Sequence, residues 1–331
     1  MKKLLSAGLM LLAGFTRAEA ADPLTLQLKW VPQAQFAGYY VAQAKGFYRD
    51  AGLDVTIKPG GPDVNPSQLI AGGGADVIVD WMPSALAARE KGVPLVNIAQ
   101  VFEHSGMELT CRRDSGIKTP ADFPGKTLGV WFSGNEYPFL AWMSKLKLAT
   151  TGGPTGVAVL KQGFNVDPLL QKQAACISTM AYNEYWQLID AKMKPEQLVV
   201  FKYEAEGVAT LEDGLYTTEA KLADKAMADR LSRFVKASMQ GWSYAIAHQD
   251  EAVRIVLQND TAGVQTEGHQ ARMMAEVAKL IPGGAHGLGY LDEAAYNRTV
   301  AELMAGQSDP IITKTPQGAY TRAVWEAAGL K

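Results

Sequence analysis

The sequence has little of what reactive or multivalent chemistry requires. Among 331 residues there are only two cysteines and four histidines. His104, His248, His269 and His286 are scattered with no metal-ligand spacing, so no metal site is expected. No nucleophile elbow or phosphate loop occurs. Gly72, Gly73 and Gly74 follow a helical stretch and precede a strand-like one, the reverse of the order a phosphate cradle needs, and read as a helix stop. A net charge of −2 leaves no electrostatic footprint for nucleic acid or an anionic membrane. No repeat or low-complexity segment is visible. No stretch has about 18 uninterrupted apolar residues, so no direct membrane insertion is expected.

What is present points to a secreted protein with a sizeable core. With 47% hydrophobic residues, the length allows two domains or lobes. Residues 1–20 combine Lys2 and Lys3, an apolar run from Leu4 to Phe15 and the small-x-small sequence Ala18-Glu19-Ala20. That pattern is a secretory signal peptide, cut after Ala20. Its loss removes a net +2 and leaves −4. With no cysteine beside the cleavage point, a free periplasmic protein is expected rather than a lipid-anchored one. An oxidising compartment permits a disulfide between Cys111 and Cys176. Both lie in apolar strand-like runs, "MELTC" and "ACISTMA", and two buried free thiols are the favoured reading.

Along the chain, strands alternate with helices. Leu24, Leu26 and Leu28 alternate with Thr25, Gln27 and Lys29, a turn follows at Trp30-Val31-Pro32, and a helix starts near Gln33. The runs "DVTIK", "ADVIVD", "PLVNIAQV", "TLGVW", "GVAVLKQ", "ACISTMA" and "QLVVFK" read as further strands, and four helices fill residues 221–304. The fold class is α/β with parallel-rich sheets.

In such sheets ligands bind beyond the carboxyl ends of the strands. Those ends carry Trp30; Asp80 and Trp81; Trp131, Ser133, Asn135 and Glu136; and Tyr182 and Glu184. Glu212 stands at an expected crossing between lobes. Phe36 and Tyr39, in the first helical turn, are assigned to the same cleft, with core packing as the competing reading. Aromatic faces can sandwich a ring, and carboxylates accept hydrogen bonds from amino and ring N–H groups. Asp80 and Glu184 have the competing role of capping helix starts, and Asn135 that of closing a turn. No Arg, Lys or His donor for a nitrate or sulfonate is expected among these strand ends.

The stretch "LKWVPQAQFAGYYVAQAKGFYRDAGLDV" and the later "KTPADFPGKTLGVW" resemble periplasmic binding proteins of ABC importers. The branch concerned unites sulfonate, nitrate, taurine and thiamine-pyrimidine binders with the thiamine-pyrimidine synthases, and is NMT1/THI5-like. The resemblance implies a two-lobed type II fold, with lobe one over 22–110 and 211–331, lobe two over 111–210, and hinges near Thr110 and Leu211. It implies a monomer that carries a small-molecule ligand to an ABC permease in the inner membrane, with no cofactor. The ligand it favours is a heteroaromatic amine such as a thiamine pyrimidine precursor; sulfonate, taurine, nitrate and riboflavin-type ligands are the alternatives. In the synthases, the resemblance implies a Schiff-base lysine, a histidine four residues on and an iron-holding cysteine cluster. Here Asp80 and Ser84 stand in the first two places, and "ATLEDGLYT" contains no cysteine. A carboxylate cannot form an imine, so no enzymatic activity is expected.

Overall fold

The alternating leucines of the opening stretch are buried in a first strand, β1 (Asp22–Gln27). The computed structural model describes residues 20–305 and 310–330, so the expected signal segment lies outside the described residues except for Ala20. After β1 come β2 (Leu53–Lys58), β3 (Val77–Asp80) and β4 (Leu95–Gln100). The chain then crosses to a second sheet made by β5 (Met107–Arg112), β6 (Thr127–Val130), β7 (Ala158–Lys161), β8 (Cys176–Met180) and β9 (Leu198–Lys202). It returns to the first sheet as β10 (Gly214–Thr218).

The two sheets have the orders β2-β1-β3-β10-β4 and β7-β6-β8-β5-β9. In each, the strand that has just crossed over runs antiparallel to its neighbours: β10 against β3 and β4, and β5 against β8 and β9. The remaining pairs are parallel. This two-lobed α/β arrangement follows from helices that cover both parallel portions.

Several local expectations shift. The strand that holds Thr110 and Cys111 lies whole in the second sheet, so the chain crosses over residues 101–106, ahead of a boundary at 110/111. Thr110 is paired on both sides, to Ile177 and Val200, and its hydroxyl meets that of Thr179 at 2.7 Å, which leaves no freedom for a hinge there. Leu211 is likewise fixed: its N–H donates to Thr299 Oγ1 and its carbonyl accepts from Met82 N. The reading of two free thiols is also overturned. Cys111 and Cys176 face each other across β5 and β8 and form a disulfide.

Helix Ala37–Ala44 is held against the long helix Lys225–Ala247 by a close approach of glycines. A Cβ on Gly241 would lie 2.1 Å from the carbonyl oxygen of Gly38, and one on Gly38 would lie 2.2 Å from the Trp242 ring. Only glycines let these backbones meet. The expected helix over 221–247 is split in two because Asp224 caps the longer helix, its carboxylate accepting from Met227 N at 2.9 Å.

Candidate functional site

Regular pairing of β1 stops at Gln27, and the chain turns through residues 28–33 before a short 3-10 turn at Ala34–Phe36. The turn releases Lys29 from strand alternation and brings it, with Trp30, Gln33 and Gln35, to one wall of a cleft between the sheets; Trp81, just past β3, completes that wall. The opposite wall comes from the second sheet. Trp131 and Asn135 follow β6, and Met180, Tyr182, Asn183 and Glu184 surround the end of β8. Trp30 and Trp131 meet edge to face across the cleft, with centroids 6.0 Å apart.

The polar groups form connected sets. Lys29 Nζ donates to Asp80 Oδ1 at 2.6 Å and lies 5.1 Å from the centre of the Trp81 ring. Asp213 accepts from Trp81 Nε1 at 2.8 Å and from Gln35 Nε2 at 2.7 Å. Burial pushes the Asp213 carboxyl up to about 6, against the opposing pull of those donors and of the Lys29 charge. Glu184 accepts from Met180 N and Asn183 Nδ2, yet burial still pushes its carboxyl up to about 7. Asn183 also links the lobes. Its Oδ1 lies 2.8 Å from His269 Nε2, and its Nδ2 donates to Gln33 Oε1 at 3.4 Å. Burial lowers the pKa of His269, while the nearby Asp190 carboxylate opposes that shift.

Of the twelve residues expected in the cleft, Trp30, Trp81, Trp131, Asn135, Tyr182 and Glu184 line it together. The other six stand elsewhere. Asp80 is fully enclosed, with Oδ1 taken by Lys29 and Trp81 N and Oδ2 by Ser67 and Ser84 hydroxyls at 2.7 and 3.2 Å, so it holds Lys29 instead of facing a ligand. Glu212 accepts from the Ser105 hydroxyl, Gly106 N and Met107 N. It therefore ties together the two segments by which the chain crosses, and burial pushes its carboxyl up to about 8. Phe36 and Tyr39 are core residues, Tyr39 packing on Trp242 with centroids 5.7 Å apart. Ser133 takes a left-handed backbone conformation in the turn, and Glu136 closes that turn by accepting from Gly134 N at 2.8 Å.

The expectation that the strand ends carry no cationic donor is overturned by Lys29. In the sequence it continues the polar phase of the alternation, but the strand ends two residues earlier. His269, from helix Glu267–Leu280, reaches the cleft rim from nearly 240 residues farther along, and nothing local in the sequence marks it.

The walls have closed on one another. Only about 20 Å³ of the inner cavity is open to the centre of a water molecule, room for about one water. Bridges between the lobes hold this state: His269 and Gln33 to Asn183, Arg272 to Asp190, and Lys161 to Asp63 at 2.9 Å. A planar ring can enter only after the lobes part. Among the described residues no His, Cys, Asp or Glu cluster could hold a metal ion, and no helix is long and apolar enough to cross a membrane.

Comparison with known proteins agrees with this architecture. The chain is 26% identical over 244 residues to a formylaminopyrimidine-binding protein of Halalkalibacterium halodurans, covering 73% of this chain and 72% of that one. A solved structure from Bordetella bronchiseptica RB50 matches with a TM-score of 0.70 at 19% identity, over 94% of this chain and 97% of that one. The alkanesulfonate-binding protein SsuA of Xanthomonas axonopodis pv. citri, solved with MOPS, matches with a TM-score of 0.64 at 13% identity, over 94% and 99%. A family model described as NMT1/THI5 like covers residues 33–252, which include every strand after β1, and the chain belongs to that family.

Proposed function

We propose that the protein is a periplasmic solute-binding protein that captures a small heteroaromatic amine, an aminopyrimidine of the kind used to build thiamine, and delivers it to an ABC permease. One observation carries this reading: two indoles from opposite lobes, Trp30 and Trp131, meet over a cavity whose polar groups include Tyr182 and Glu184. Parting the lobes opens a slot with aromatic sides, and a ring in that slot stacks on indole while its amino edge reaches Glu184. Burial raises that carboxyl to about 7, which favours its protonated form beyond the ordinary carboxylate range. The similarity to a formylaminopyrimidine-binding protein supports the same ligand class.

Lys29 does not turn the site toward nitrate or a sulfonate. Its ammonium is paired with Asp80, and Asp213 adds further negative charge on the same wall, so an anion would meet no unbalanced positive charge. Nor does it supply imine chemistry, because an ammonium locked in an ion pair has no lone pair for a carbonyl. Closure then follows from differential binding: with a ring between the walls, contacts made to both at once favour lobes drawn together around the ligand over lobes held apart. In this reading the lobes move about the crossing segments 101–106 and 203–213, and Glu212 of the second bonds Ser105, Gly106 and Met107 at the first.

Mass spectrometry of the small molecule released on denaturing protein purified from its native periplasm tests the assignment. An aminopyrimidine or a related heteroaromatic amine is expected. A sulfonate released in stoichiometric amount would contradict it.

A further inference from the structure

Outside the inner cavity, and joined to it through Trp30, Gln33 and Asn183, lies a second chamber of about 440 Å³. Its sides come from both lobes: Val264, ahead of helix Glu267–Leu280, on one, and Phe164, past the end of β7, on the other. These two are the most exposed large hydrophobic side chains among the described residues, at 55% and 49%. Single apolar residues on a surface need no explanation, but here the two most exposed share one chamber with Trp30.

The polar groups of the chamber are largely satisfied already. Gln265 donates to Pro32 O and accepts from Gln270, Gln187 donates to Asn183 Oδ1, and Asp190 is paired with Arg272. What an occupant can gain is therefore mainly apolar contact with Phe164, Val264 and Trp30. The inner cavity, by contrast, offers polar partners and little room.

We propose that the outer chamber is a second subsite, which takes an apolar ring or comparable arm attached to the heteroaromatic ring bound within. The favoured ligand has two parts: a polar ring edge directed at Glu184 and an apolar portion clasped between Phe164 and Val264. This rests on the reading of the cleft as a heteroaromatic-amine site and extends it to the size and polarity of the ligand. Because the clasping residues come from opposite lobes, the apolar arm also adds contacts that exist only in the closed form, so it strengthens closure as well as affinity.

The test uses two probes that differ only in the arm, 4-amino-2-methylpyrimidine and its 5-benzyl derivative, titrated into the full mature protein. The benzyl compound should bind about tenfold more tightly, as expected when roughly a phenyl ring's partial burial is added. In the Phe164→Ser, Val264→Ser double variant, the ratio of the two affinities should fall close to one. Both positions are exposed, and a urea denaturation curve matching that of the wild type checks that the fold is kept. Equal or weaker binding of the benzyl compound by the wild type, or a ratio unchanged in the variant, would overturn the subsite while leaving the inner site intact. Failure of both compounds to bind would remove the reading of the cleft itself, and the subsite with it.

Discussion

Replacing Asp80 by asparagine keeps the shape of the side chain and removes only its charge, so it isolates what holds Lys29 in the cleft wall. Lys29 and Asp80 are 2% and 0% exposed, and their contact is 2.6 Å long. A buried ion pair adds little net stability compared with apolar residues of the same volume, but removing one partner strands the other, at a cost of about 3 to 5 kcal/mol. Here the lower end applies. The Trp81 ring remains near the ammonium, and an asparagine oxygen can still accept from it. Lys29→Met should cost less, about 2 kcal/mol, because Asp80 keeps Trp81 N and the hydroxyls of Ser67 and Ser84 as donors. The double variant should then be less destabilised than the sum of the singles by about 2 kcal/mol, the size of coupling expected of residues in direct contact. Urea denaturation followed by tryptophan fluorescence measures all three, with the slope checked for constancy. Two singles each costing under about 1 kcal/mol, or strictly additive costs, would refute the ion pair as the anchor of this wall.

Three other consequences can be measured directly. The Cys111–Cys176 disulfide joins positions 65 residues apart, and in the chain-entropy account its removal as a double alanine variant should cost about 4 kcal/mol, read as a lowered urea midpoint; an unchanged midpoint would show that the bond is absent or idle. Gly241→Ala drives a methyl group into the Gly38 carbonyl and should destabilise by about 2 to 3 kcal/mol, whereas alanine at Gly61, where an added Cβ would meet nothing within 4 Å, should have little effect; equal effects would discount the close helix approach. Glu184 is raised by burial from an ordinary 4.5 to about 7, so between those values the native state keeps a proton that the unfolded chain has lost. Wild-type stability should therefore fall as pH rises through that window, and the advantage of Glu184→Gln over wild type should grow with it; a difference independent of pH would place Glu184 in a more solvated setting.

Much of the layout is readable in the sequence because it depends on local pattern. Alternating Leu24 and Leu26 and the Gly72 stop both report short-range geometry, and the structure places elements there. The six aromatic and polar residues that line the cavity were legible because each follows a strand, and the carboxyl ends of parallel strands converge. What escaped was set by distant partners. Lys29 follows the polar phase of β1 in the sequence, yet the strand ends before it, and Asp80, 51 residues away, draws it inward. Asp80 and Glu212 look like free carboxylates in sequence, and only the converging donors around them reveal that they brace the wall and the crossing segments. The cysteine pairing was hidden for the same reason: strand register across β5 and β8 decides it, and composition does not.

Titration calorimetry of a formylated aminopyrimidine into the mature protein tests the central claim most directly, with Trp131→Ala and taurine as controls. The account predicts saturable one-to-one binding by the wild type, affinity at least about tenfold weaker in Trp131→Ala, and no heat with taurine. Saturable binding of taurine, with none of the pyrimidine, would contradict it.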